Sequence, residues 1–145
     1  MEETTVLENE GFARWVIDYD DDPSLVSRID APIRLEGGTL VVDGEGTLLI
    51  SKSCIVCDKR NPNLSKSEIE EQLRRLLGIE KVIWVPGRRN VDLMDVYMDA
   101  EARFIRPGVI VFSKPHDTAV DLWKEISIEI YDILKSQTDA KGRFF

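Results

Sequence analysis

The sequence predicts an α/β fold built on a mixed sheet. Short β-rich runs alternate with two long amphipathic stretches. Gly- or Pro-bearing turn signals close most of these runs. The first amphipathic stretch also carries its own start and stop signals. The order that results is strand, strand, helix, strand, strand, strand, helix, with each helix returning to pack on the sheet.

Residues 1–29 are weakly patterned, and DYDDDPS (18–24) reads as a turn or helix start. From residue 30 the pattern sharpens into one domain that runs to residue 145. APIRLEGG (31–38) and TLVVD (39–43) read as extended. DGEG (43–46) is a hairpin-type turn, because Gly44 tolerates positive φ. TLLIS (47–51) is the return strand, CIVC (54–57) adds a short strand, and KRNPN (59–63) is a loop.

LSKSEIEEQLRRLLG (64–78) is the clearest helix. Ser65 as N-cap and Glu68 at N3 make a capping box, and Leu64 with Ile69 are spaced as a hydrophobic staple. Ile69, Leu73, Leu76 and Leu77 form the apolar stripe, and Gly78 is the stop. IEKVIWVPG (79–87) then reads as a buried strand. MDAEARFI (98–105) alternates, with Met98, Ala100, Ala102 and Phe104 on one face. RPG (106–108) turns the chain into the strand VIVFS (109–113). Residues 118–136 form the second amphipathic helix, with Leu122, Trp123, Ile126, Ile130, Ile133 and Leu134 inward.

With 145 residues, 43% of them hydrophobic and 32% charged, the chain has enough for one core. A formal net charge of -8 argues against nucleic acid as a partner, because phosphate backbones need a basic face. No apolar run approaches the ~18–20 residues that cross a bilayer, so no membrane partner is expected. The N-terminus MEETTVLENE is acidic rather than basic, unlike a secretory or transit segment, and a cytoplasmic location is expected. The two cysteines, Cys54 and Cys57, fall short of the about four ligands of a structural zinc site. In an extended stretch they would face opposite ways, so they read as packing residues rather than a redox pair. The only histidine, His116 in SKPHDT, reads as an exposed loop residue.

Three acids stand out: Glu36 before Gly37 and Gly38, and Asp95 and Asp99 in MDVYMDAEARF, with Asp92 just upstream. Carboxylates at strand ends are placed to line a cleft, and two of them match the forked N–H donors of a planar guanidinium. Against that stands the ordinary fate of surface acids, which is solvation. Tyr97 reads as packing, since a phenol titrates near ~10. No GxSxG, Walker, GxGxxG or HExxH signature is present. GGTLVVDGEG is not a phosphate loop, because its glycines flank a strand instead of opening a helix.

LEGGTLVVDGEGTLLIS, NPNLSKSEIEEQLRRLLGIEKVIWVPG, ARFIRPGV and the terminal SQTDAKGR together resemble agmatine deiminase. They resemble more broadly the guanidine-modifying penteins, which include the bacterial-type peptidylarginine deiminases. The resemblance implies a partial pentein α/β propeller, roughly two of the five ββαβ-like modules. It implies hydrolysis of a guanidinium carbon: agmatine and water give N-carbamoylputrescine and ammonia, on a route to putrescine. In such enzymes a thiolate attacks, a histidine moves protons, and acids hold the guanidinium. No metal or organic cofactor is implied.

The resemblance assigns Glu36 and Asp99 to the guanidinium, and Asp95 to the acid that opens the second motif. Gly37 and Gly38 match glycines that let the chain turn beside Glu36, and Asp43 and Gly44 belong to the shared hairpin. The family pattern Asp-Gly-His-Val-Asp is here Asp95-Val96-Tyr97-Met98-Asp99. Tyr97 therefore stands where the proton-transferring histidine is expected, and Val96 where a glycine is, so departure from the family loop conformation is expected. The family nucleophile lies in a later glycine-rich segment, so neither Cys54 nor Cys57 takes that role. The expectation is a chain that is catalytically incomplete alone. It would be a degenerate remnant, a binding module for guanidines, or one that self-associates or needs a complementing chain.

Overall fold

The computed structural model describes Trp15, Asp18, Tyr19 and residues 29–90 and 95–145. Most of the 18–24 turn signal and Asp92 lie outside the described residues. The chain divides into two units, Met1–Ala31 and Pro32–Phe145. In the first, the rings of Trp15 and Tyr19 stack with centroids 5.2 Å apart.

The second unit begins with a 3₁₀ turn, Gly37–Thr39, which leads into β1 (Leu40–Val42) and β2 (Thr47–Ser51). These pair antiparallel through a hairpin in which Gly44 and Gly46 both take positive φ. A single helical turn, α1 (Lys52–Ile55), is followed by the long helix α2 (Lys66–Leu77) and by β3 (Lys81–Val85). β3 pairs parallel with β2, so the sheet is mixed, in the order β1-β2-β3. This is one complete ββαβ unit. A second helical turn, α3 (Met98–Glu101), opens the hairpin β4 (Ala102–Arg106) and β5 (Val109–Phe112), and α4 (Asp121–Ser136) closes the unit as ββα.

The alternation in β2 sets the layers. Leu48 and Ile50 face α2 and join Ile33, Ile55, Ile69, Leu73 and Ile79. Leu49 faces the other way and joins Val41, Ile83, Val85, Val96, Met98, Ala102 and the inner face of α4 at Ile126, Ile130 and Leu134. β2 is buried along its whole length, as expected of a strand covered on both faces. The ends of α2 match the sequence: both halves of the Ser65–Glu68 capping box are formed, and Gly78 stops the helix in the left-handed region.

Several expectations are corrected. CIVC is not a strand, because tertiary bonds claim its carbonyls. Arg60 Nη1 donates to Cys54 O, and Asn61 Nδ2 donates to Ile55 O at 2.9 Å. Residues 31–36 form no strand either. Asn61 takes the place of a neighbouring strand for Arg34, accepting from its N at 2.8 Å and donating to its O at 2.9 Å. MDAEARFI starts as a helical turn. Met98 and Ala102, four apart, are buried while Ala100 is exposed, which is helical spacing rather than alternation. The strands form two sheets rather than one, since β4 and β5 pair only with each other. Leu77 and Leu122, in the last and first turns of their helices, are exposed rather than inward.

Candidate active site

Glu36 is fixed by the turn that follows it. Its carbonyl accepts from the backbone N of Thr39 at 3.0 Å and from Thr39 Oγ1 at 2.6 Å. Thr39 is fully buried, so the turn is anchored in the core. The Glu36 side chain accepts through Oε1 from Arg60 Nη2 at 2.7 Å. Its Oε2 atom is covered and receives no hydrogen bond among the described residues, although the side chain as a whole is 41% exposed.

Gly38 is where the two halves of the site meet. A Cβ there would collide with Tyr97 Cδ2, and would stand 3.0 Å from Tyr97 Cε2 and 3.1 Å from Asp99 Oδ1. The Tyr97 ring therefore lies directly on the glycine backbone, with the Asp99 carboxylate beside it. Only a residue without a side chain permits that approach. Gly37 has open space around it, and neither glycine takes a left-handed φ. The expected reason for the pair, freedom to turn, is thus replaced by close packing at Gly38 alone.

The second half is built on strain. Asp95 and Val96 lie in the left-handed region at φ 57 and φ 70. For a β-branched residue this is an outlier. Val96, at the position where the resemblance expects a glycine, takes a left-handed φ that glycine adopts freely. Tyr97 follows with extended backbone and precedes α3. Asp99 pairs with Arg103 one helical turn on, Oδ2 to Nη2 at 3.2 Å. The Asp95 carboxylate does not join this group, because Oδ1 accepts from the backbone N of Asn90 at 2.7 Å. Asp43 is a hairpin residue, its Oδ1 accepting from the backbone N of Glu45 and of Thr47 at 2.8 and 2.9 Å.

Sequence reasoning passed over Arg60 and Ser53, and read Cys54 only as a packing residue. Arg60 sat in a segment read only as a loop, and nothing in its spacing points to Glu36. Cys54 is buried. Burial pushes its thiol up, outweighing the nearby hydroxyls of Ser51 and Ser53, and its Sγ is turned toward the Asp95 carbonyl at 3.2 Å. His116 is exposed, its Nδ1 2.9 Å from Thr118 Oγ1. Among the described residues no group of three or more His, Cys, Asp or Glu side chains is placed to hold a metal ion, and no helix is long and apolar enough to cross a membrane.

A complete ββαβ unit followed by a ββα unit, with a Glu-Gly-Gly turn packed under the Tyr97–Asp99 segment, is the arrangement of part of a pentein α/β propeller. Residues 5–145 match the family model described as Porphyromonas-type peptidyl-arginine deiminase, and the chain belongs to that family. The agmatine deiminase of Medicago truncatula is 41% identical over 125 residues, which are 86% of this chain and 33% of the relative. A structure of the agmatine deiminase of Enterococcus faecalis superposes with TM-score 0.72 at 34% identity, covering 80% of this chain and 32% of that one. The C. jejuni agmatine deiminase superposes with TM-score 0.52 at 26% identity, covering 68% and 30%. The chain thus spans about a third of the length of the relatives it matches.

Proposed function

We propose that this chain supplies the guanidinium-holding part of an agmatine deiminase-type site. The observation that carries the reading is the packing of Tyr97 and Asp99 on Gly38, two residues after Glu36. Glu36 and Asp99 lie more than 60 residues apart in sequence, and the contact at Gly38 brings the Asp99 carboxylate to the turn that Glu36 opens. A planar cation with N–H donors on both edges suits them. Oε2 of Glu36 is covered but has no hydrogen-bond partner among the described residues, Oε1 already serving Arg60, so a guanidinium would reach it only by displacing what covers it. The substrate class is a small guanidine such as agmatine, and the family reaction would release ammonia to leave N-carbamoylputrescine, feeding putrescine synthesis in the cytoplasm.

This chain's part in that reaction is binding and orientation. Tyr97 holds the position of the proton-transferring histidine, and a phenol is a poor proton carrier near neutral pH. The thiol of Cys54 is occupied by backbone carbonyls. The substitution at Tyr97 favours a second reading beside the first: a non-catalytic pentein remnant that retains guanidine binding, self-associates or serves a complementing chain.

Titration of the chain with agmatine, followed by amide shifts of Gly37, Gly38 and Asp99, tests the proposal. Partly exposed ion pairs contribute only ~0–1 kcal/mol each, so affinity in the millimolar range or weaker is expected. The shifts should vanish in Glu36→Gln and Asp99→Asn. Shifts that are absent in the parent chain, or that survive both substitutions, would overturn it.

A further inference from the structure

We propose that Ser53 and Cys54 are positioning residues that clamp the left-handed pair Asp95–Val96 and thereby hold Tyr97 over Gly38. The inference rests on the guanidine-site reading for its meaning, but its geometry stands independently. Two consecutive side chains on α1 reach two consecutive carbonyls about 40 residues away. Ser53 Oγ donates to Asp95 O at 2.6 Å, and Cys54 Sγ lies 3.2 Å from Asp95 O and 3.4 Å from Val96 O. Both side chains are buried, so these carbonyls gain partners that water cannot supply.

The donors are themselves oriented. Ser53 Oγ lies 2.9 Å from Ser51 Oγ. A hydroxyl has a single proton, so donation to Asp95 O makes Ser51 the donor in that contact. Gly87 closes the far side. It is left-handed at φ 65, and a Cβ there would collide with both hydroxyls. The backbone N of Ser53 donates to Pro86 O at 3.1 Å, which fixes α1 to the end of β3. The serine ladder therefore has one direction, and it ends at the strained pair.

The strain needs such a clamp. Consecutive non-glycine residues at φ 57 and φ 70, one of them β-branched, do not hold that conformation by local preference. A glycine at position 96 would need less help. The valine side chain is 1% exposed and anchors the segment from below, while the two donors hold the carbonyls from the α1 side. Tyr97 comes next in the chain, so any relaxation of Asp95 or Val96 moves its ring off Gly38 and shifts Asp99 with it.

The test is the nuclear Overhauser contact between the Gly38 Hα protons and the Tyr97 ring in the full chain without ligand. In Ser53→Ala, and separately in Cys54→Ala, its intensity should fall by half or more while the core methyl dispersion is retained. Cys54→Ser, which keeps a donor, should preserve it. The effect of Ser53→Ala should shrink when Val96→Gly is added, because glycine takes the left-handed region unaided. An unchanged contact in both alanine variants would overturn the proposal, as would loss of the contact only together with the methyl dispersion. No ligand enters this measurement. An intact clamp with no agmatine binding would therefore count against the guanidine reading and not against the clamp.

Discussion

The guanidinium of Arg60 lies on the carboxylate of Glu36, Nη2 to Oε1 at 2.7 Å. The acid proposed to hold a substrate guanidinium is thus already half-occupied by one from its own chain. Arg60 is anchored elsewhere too, since Nη1 donates to Cys54 O. It will not swing away freely when a ligand arrives. Removing it has two opposed effects. Arg60→Met frees Oε1 and deletes a like charge beside a cationic ligand, and it also loses an ion pair and a bond to a carbonyl. The pair is partly exposed, so its loss costs about 1 kcal/mol of stability. Agmatine binding should tighten by about threefold, within the range of one such pair. Calorimetric titration beside urea unfolding checks both signs. Weaker binding in Arg60→Met would show that the arginine orients Glu36 rather than competing for it.

Gly37 and Gly38 should separate cleanly on substitution. Gly37→Ala meets open space and should change stability by less than about 0.5 kcal/mol. Gly38→Ala drives a methyl into the Tyr97 ring and crowds Asp99. Overpacking of this kind costs about 1–3 kcal/mol, and Tyr97 must move to relieve it. Denaturant midpoints of the two variants, compared with the parent, are the measurement. Equal effects would remove the close approach as the reason for the glycine.

Val96→Gly sets two terms against each other. Releasing one left-handed non-glycine residue gains roughly 1–2 kcal/mol. Losing a buried valine side chain costs roughly 1.5–3 kcal/mol, and the freer unfolded chain adds roughly 0.5–1 kcal/mol more. Burial wins, and a net loss of about 1 kcal/mol is expected by urea unfolding. A gain in stability would mean that strain at this site exceeds the usual magnitude.

What the sequence shows of this chain follows from the range of each interaction. The ends of α2 are written within a few residues: Ser65 and Glu68 satisfy each other, and Gly78 supplies the left-handed stop. The hairpin at Asp43–Gly46 is equally local. The misread segments are those whose backbone partners come from far away. Asn61 substitutes for a strand beside Arg34, and Ser53 and Cys54 reach to Asp95 and Val96. The site divides the same way. Glu36 and Asp99 stand out by position and gain roles from the family resemblance, which alone marks Tyr97, whereas Arg60 is invisible, because a lone arginine in a polar loop carries no periodicity to read.

Acid should weaken the fold partly through Asp139. Burial alone would raise its pKa, but donations from the backbone N of Arg143 and Lys141 and from the Arg143 side chain outweigh it and hold the carboxyl below the usual range. A depressed folded pKa contributes stability that is fully present above the unfolded carboxylate value near ~4 and is lost as pH falls through the lower folded value. Asp139→Asn should therefore be less stable than the parent at neutral pH, and the gap should close on acidification. Urea unfolding at neutral pH and again below pH ~3 measures it. A gap that stays constant would assign the effect to shape rather than charge.

Restoring the family residue at position 97 should restore no chemistry by itself. Tyr97→His would place an imidazole over Gly38, beside Asp99, where a proton carrier is expected. Proton transfer, however, acts on a bond that a nucleophile has already attacked. The Cys54 thiol is buried, holds its proton more tightly than a free thiol, and is turned toward the carbonyls of Asp95 and Val96. Residues that act as a catalytic unit lose most of their effect when any member is missing, so supplying one recovers almost nothing. The 145-residue chain and its Tyr97→His variant should both release ammonia from agmatine at the buffer rate. Ammonia release that appears with Tyr97→His and disappears with Cys54→Ala would require Cys54 to leave its carbonyl partners and attack, and the clamp would then be the resting state of a nucleophile.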